Sequence, residues 1–117
     1  MSYIDIAIYA VPTANKAEFI SHAELVAPIF KKHGAESVAD CWGDEIPPGE
    51  LTSLPMAVKC EANETVAFSY IFWPSKEARD KGMQQAMTEM QAQMSSNPMP
   101  FDGKRMIFGS FEPVVSL

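Results

Sequence analysis

Residues 3 to 11 alternate, with Ile4, Ile6 and Ile8 pointing one way and Tyr3, Asp5, Ala7 and Tyr9 the other. That period of two predicts a strand, and Pro12 ends it. The period then changes. Phe19, Ala23, Val26, Ala27 and Phe30 recur at helical spacing. Asn15 and Glu18 stand three apart ahead of them, as in a capping box, and Gly34 suits the left-handed position just past the end. Pro28 lies inside this helix, where it removes the hydrogen bond to the Glu24 carbonyl and predicts a kink.

Alternation returns from Ala35 to Gly43, now with few large aliphatic residues. Val38, Asp40 and Trp42 share one face, and Ser37, Ala39 and Cys41 the other. So polar a strand is expected at a sheet edge or in a pocket wall. An acidic, proline-rich loop follows over 44–50. Residues 52–60 read as a short helix capped by Thr52 or Ser53, with Pro55 in its first turn; a short strand is the alternative. Val66, Phe68, Tyr70 and Phe72 next alternate with Ala67, Ser69, Ile71 and Trp73, which predicts a strand apolar on both faces.

Ser75 is placed to cap a second long helix, with Met83, Ala86, Met87, Met90 and Met94 along one stripe. The stripe reads as adaptable core packing, and Ser95 to Pro98 break the helix. A turn at Pro100 and Asp102-Gly103 leads into a last strand with Met106 and Phe108 on one side, Ile107 and Phe111 on the other.

The resulting order is β-α-β, a small insert, then β-α-β. It predicts an α+β domain over residues 1–117 on the split βαβ or ferredoxin-like plan, with both helices on one face of a four-stranded antiparallel sheet. Strands apolar on both sides need cover on the second face too. A homodimer packed sheet against sheet meets that need, with an interface on the order of 2,000 Å² in total.

The chain of 117 residues, 47 % hydrophobic, is long enough for a core without metal or disulfide support. No apolar run approaches the roughly 20 residues that span a bilayer, and the N-terminus lacks a basic region. A soluble, uncleaved, cytoplasmic protein without a membrane partner is expected. Cys41 and Cys60 form no CxxC pair and are expected reduced and buried. Fifteen acidic against nine basic residues give a net charge of −6, which repels phosphate and argues against a nucleic-acid partner. No GxGxxG, P-loop, nucleophile elbow or zinc spacing occurs, so no cofactor or metal is expected.

Three places carry candidate chemistry. His22 flanks the apolar stripe of the first helix between Phe19 and Val26; it is either an acid or base facing a pocket or a boundary histidine. His33 lies eleven residues on, roughly 16 Å along the axis, too far to share a metal, and the helix dipole accounts for it. Asp40 and Asp44 flank Trp42 at alternate positions, and share a polar pocket beside the indole if the strand runs that far. Asp102 and Arg105 form the third place. Arg105 begins the last strand and holds a ligand anion or a carboxylate across the dimer, or pairs with a nearby acid such as Asp5 or Asp40, while Asp102 caps the turn. Tyr3, Tyr9, Tyr70, Trp73 and Phe111 are candidates to line the dimer interior.

Several stretches carry a family likeness. Cys41 to Pro47, Thr52 to Val58, Phe68 to Ile71, Pro74-Ser75, Arg79-Asp80 and above all Met99 to Ile107 resemble the bacterial YbaA-type family of uncharacterised proteins, over nearly the whole chain. The resemblance implies a ferredoxin-like fold of the dimeric α/β-barrel kind. That superfamily also holds cofactor-free monooxygenases, muconolactone isomerase-like proteins and haem-dependent enzymes, and one fold hosts many chemistries. The functional expectation is a small dimeric protein that binds or transforms a small apolar or aromatic molecule in a cleft between helices and sheet. The alternative is a non-catalytic structural or interaction module whose apolar faces serve dimerisation.

Overall fold

The first alternating stretch forms β1 (Tyr3–Pro12), a central strand of a four-stranded antiparallel sheet. The structure, a computed structural model, describes residues 2–94 and 98–117, without the Met94 side chain. After β1 come α1 (Lys16–Lys32), β2 (Ser37–Trp42), the short α2 (Leu54–Ala57), β3 (Glu64–Trp73), α3 (Lys76–Met94) and β4 (Ile107–Phe111). The sheet order is β2-β3-β1-β4. Of the two strands read as apolar on both faces, β3 lies in the middle and β4 at an edge, and polar β2 is at the other edge, as its composition predicts. This is the ferredoxin-like βαββαβ arrangement.

Local signals mostly act as read. Ser53 accepts from the Met56 N–H at 3.2 Å and Ser75 from the Ala78 N–H at 3.0 Å, so residues 54–57 are helical and not a strand. Gly34 takes φ +110° just past α1, a conformation in which a side chain would be strained. One reading changes. Asn15 makes no capping bond; its Nδ2 donates instead to the Pro100 carbonyl at 3.5 Å, tying the start of α1 to the segment before β4. Helix α1 holds Pro28 within one continuous helix, as read. The predicted break after α3 falls on Ser95, Ser96 and Asn97, outside the described residues.

Register divides the sheet into two faces. On the helix-covered face the first row across the strands is Val38, Ile71, Asp5 and Ser110. Asp40, Ser69, Ala7 and Phe108 form the second row, and Trp42, Ala67 and Tyr9 the third. The core over this face is in two parts. Ile29, Phe30, Ala35, Ala86 and Met90 pack on Ile71 and Trp73 at one end, and Phe19 packs with Tyr9, Val11 and Ala67 at the other, where Phe101 and Met106 join. Between these clusters the second row is less covered. Ala7 and Ser69 are half-buried, Asp40 is exposed, and Phe108 is 78 % exposed. Helices expected to cover β4 on this side do not reach Phe108.

The opposite face carries Ile4, Ile6, Ile8, Phe68, Tyr70, Phe72, Ile107 and Phe111, beside Ser37, Ala39, Cys41 and Gly109. At one end Val58, just past α2, buries Ala10 and Val66. The rest is open, with Phe111 53 % exposed. Of the aromatics assigned to the dimer interior, Tyr70 and Phe111 lie here, whereas Tyr3, Tyr9 and Trp73 face the helices. Both cysteines are free, but Cys41 is exposed and Cys60 half-buried, so neither is the buried thiol expected.

Candidate functional site

His22 lies three residues past Phe19, which packs in one cluster, and four before Val26, which packs in the other. Helical spacing therefore sets its ring on the sheet-facing side of α1, close enough to the second row to feel the Asp40 charge. Nε2 is fully buried and has no hydrogen-bond partner. The ring stands edge-on to Phe101, with centroids 6.4 Å apart. Burial pushes its pKa below the usual histidine value, and the Asp40 carboxylate opposes that in part. The same side chain lines an outer cleft of about 350 Å³ with Ser21, Leu25, Pro98 and Pro100.

Beneath His22, three groups join across three strands. The Tyr9 hydroxyl meets Ser69 Oγ at 2.6 Å, and Ser69 Oγ donates to Asp40 Oδ1 at 2.6 Å. Burial is the main cause that raises the Tyr9 phenol to about 12, so it stays protonated. Aromatic rings wall the place. Phe101 stacks on Tyr9 at 4.3 Å, Phe19 and Trp42 lie 5.4 Å apart, and Lys16 Nζ sits 5.7 Å over the Trp42 ring.

His22, Asp40 and Trp42 are thus brought together, while Asp102 and Arg105 are not. Arg105 lies in a 3-10 turn (Gly103–Arg105), two residues before β4, and its partner is neither Asp5 nor Asp40. It grips both carboxylate oxygens of Glu64, at 2.7 and 2.8 Å, and also bonds Asp102 and the Lys59 carbonyl. A guanidinium fork satisfies two oxygens at once, which a lone exposed acid offers no better than this half-buried one. Asp102 does cap the turn, accepting from the Lys104 N–H at 3.0 Å. Asp5 is taken by Arg79, Ser110 and the Trp73 indole N–H. Asp44 falls beyond β2, which stops at Trp42, and so leaves the Asp40 face. It lines a second cleft of about 400 Å³ with Cys60, Glu61 and Glu64, whose oxygens are already committed to Arg105. His33 pairs with Glu89 of α3 at 2.9 Å, a partner that the helix dipole did not suggest.

The sequence did not mark Ser69 and Phe101 as residues near His22, and it assigned Tyr9 to the dimer interior instead. Ser69 carried a signal, as the one small polar side chain among the apolar and aromatic residues of β3 from Val66 to Trp73. Among the described residues no three His, Cys, Asp or Glu side chains are placed to hold a metal ion.

The Glu64–Arg105 grip has a consequence in acid. Arg105 is the first cause that holds Glu64 down at about 2, against an ordinary 4.5. A depressed carboxylate stabilises the fold above its unfolded pKa and loses that contribution as pH falls through the folded value. Thermal unfolding is expected to place Glu64→Gln several degrees below wild type above pH 5, and the gap is expected to close between pH 4.5 and 2. A gap independent of pH would mean that the pair is not what stabilises the turn.

Residues 2–103 match the family described as protein of unknown function, DUF1428. The chain belongs to this family. The "Uncharacterized protein YbaA" of Escherichia coli strain K12 is 44 % identical over 115 residues, 98 % of each chain, and that of Shigella flexneri matches equally. This member of DUF1428 also shares its fold with solved structures. SnoaB, a cofactor-independent oxygenase from Streptomyces nogalater, gives a TM-score of 0.58 at 15 % identity, over 99 % of this chain and 96 % of that one. A dimeric ferredoxin-like protein from an uncultured marine organism gives 0.58 at 9 %, over 99 % and 98 %. A monooxygenase from the gene ActVA-Orf6 of Streptomyces coelicolor, in complex with Nanaomycin D, gives 0.57 at 16 %, over 99 % and 90 %. Identities this low show the fold alone. No helix among the described residues is long and apolar enough to cross a membrane.

Proposed function

We propose that this protein is a cytoplasmic homodimer of one-domain subunits, each of which binds a small aromatic molecule in the groove between α1 and the second row of the sheet. The observation that carries it is the buried, unpartnered His22 Nε2 close to that row. A buried polar atom without a partner costs free energy, and such atoms collect where a ligand or water completes them. The surroundings suit a flat ring. Tyr9, Phe19, Trp42 and Phe101 offer faces and edges beside the small side chains of Ala7 and Ser69. Sites of this kind are mostly apolar with a few convergent polar groups. The monooxygenase solved with Nanaomycin D indicates that the fold admits a small molecule.

Dimerisation is supported by the other face. The eleven side chains named on it include no charge, in a chain with fifteen acidic and nine basic residues, and Glu64 at its far end is held by Arg105. A flat, uncharged face is self-complementary about a two-fold axis, which suits a second copy better than a charged partner.

The groove is tested by a thermal-shift titration with 2-naphthol, on wild type and on His22→Phe, which keeps a flat ring and removes the nitrogen. A ligand at 100 times its Kd adds about 2.7 kcal/mol to the native state, a readily measured rise. Wild type is expected to shift and His22→Phe is not, although the variant itself melts no lower, since an unsatisfied buried nitrogen has been removed. An equal shift in both would place the ligand elsewhere. No shift in wild type would favour a packing module, its groove filled by Phe101.

A further inference from the structure

The groove's hydrogen-bond directions say what its ligand must offer. Asp40 is a carboxylate and only accepts, so the single Ser69 proton is spent on it at 2.6 Å. Ser69 Oγ must then accept at its other contact, and the Tyr9 phenol must donate there, at 2.6 Å. Every proton in the chain is used. What Tyr9, Ser69 and Asp40 leave facing the groove are lone pairs. Among the described residues no Lys, Arg or His side chain forms an ion pair with Asp40. Lys16, the nearest cation to the rings, lies over Trp42 in the next row.

We infer that the ligand donates hydrogen bonds to this floor and carries no negative charge there: it is an aromatic hydroxyl compound, neutral at pH 7. This rests on the groove binding an aromatic molecule at all, as proposed above. A carboxylate or phosphate would bring lone pairs against lone pairs and a charge against Asp40. A hydroxyl can do two things at once. It donates to Asp40 or Tyr9, and its oxygen can still accept from His22 Nε2 when that nitrogen carries the imidazole proton. An aryl ether accepts only, and an arylammonium donates only. Sites built to pair a ligand O–H reject the analogue that lacks it more sharply than apolar pockets reject a missing methylene.

Calorimetric titration at pH 7 with three probes on one ring system separates the cases. They are 2-naphthol, 2-methoxynaphthalene, which keeps the oxygen but has no proton to give, and 2-naphthoate. Wild type is expected to bind 2-naphthol, 2-methoxynaphthalene at least tenfold more weakly, and 2-naphthoate not measurably. Asp40→Asn, at an exposed position where the fold tolerates change, supplies N–H donors and removes the charge; it is expected to narrow the ratio of 2-naphthol to 2-methoxynaphthalene to less than threefold. Ser69→Ala is expected to narrow it as well, since it breaks the chain that orients the lone pairs. Equal binding of 2-naphthol and 2-methoxynaphthalene by wild type, or preference for 2-naphthoate, overturns the donor requirement; the groove itself stands if His22→Phe still abolishes that binding. Failure of all three probes to bind wild type overturns both.

Discussion

Alanine at position 82 is expected to destabilise this protein by about 2 kcal/mol, although glycine to alanine inside a helix ordinarily stabilises by about 1 kcal/mol. Gly82 is buried in the middle of α3, where the helix crosses the end of α1. A Cβ there would meet the His33 carbonyl oxygen, and would lie 2.5 Å from one Trp73 ring carbon and 3.0 Å from another. Neither neighbour yields easily. The carbonyl is backbone at the close of α1, and Trp73 is wholly buried, its indole N–H held by Asp5 at 2.9 Å. Relief must come from separating the two helices, which loosens the cluster of Ile29, Phe30, Ala86 and Met90. Urea denaturation of Gly82→Ala should show a lower midpoint at unchanged slope. A midpoint equal to or above that of wild type would show that α1 and α3 do not approach this closely.

That contact marks where a single sequence stops informing. Strand periods, the Ser53 and Ser75 caps, the Gly34 terminus and the order of elements are local, and each is written within a few residues. Position 82 carries no local sign of a close crossing, because glycine in a helix has several uses. Partner choice is harder still. Arg105 and Glu64 are 41 residues apart, Tyr9 and Ser69 60, and Arg79 and Asp5 74. Any acid within reach of a guanidinium looks equal before register is known, which is why Asp5 and Asp40 stood as candidates where Glu64 fills the role. The groove was half legible. His22, Asp40 and Trp42 could be marked by residue type, but the less covered row exists only once β2, β3 and β1 pair with Asp40, Ser69 and Ala7 aligned. Small residues such as Ala7 and Ser69 then matter for the space they leave.

The open face of the sheet gives the other large expected effect. Ile6 lies at its centre, paired with Tyr70 on one side and Gly109 on the other; among the described strand residues the one charge on that face is Glu64, at the far end of β3 and already held by Arg105. If two copies meet there about a two-fold axis, Ile6→Glu places an unpaired carboxylate in the interface twice, once per copy. One uncompensated buried charge costs about 3 kcal/mol or more, so two weaken association by at least about 10⁴-fold. Wild type in sedimentation equilibrium at micromolar concentration is expected at twice the 12.9 kDa chain mass, and Ile6→Glu at the chain mass itself. A monomeric subunit tolerates glutamate better than the dimer does, because the half-buried Ile6 side chain then has water beside it. Circular dichroism of the variant should therefore still report the mixed helix and sheet. Lys76→Glu, at the exposed start of α3 on the other side of the sheet, is the matched control and is expected to leave the mass unchanged. A wild-type mass of 12.9 kDa would sink the dimer, and the exposed Phe72, Phe111 and Ile107 would then need a different partner.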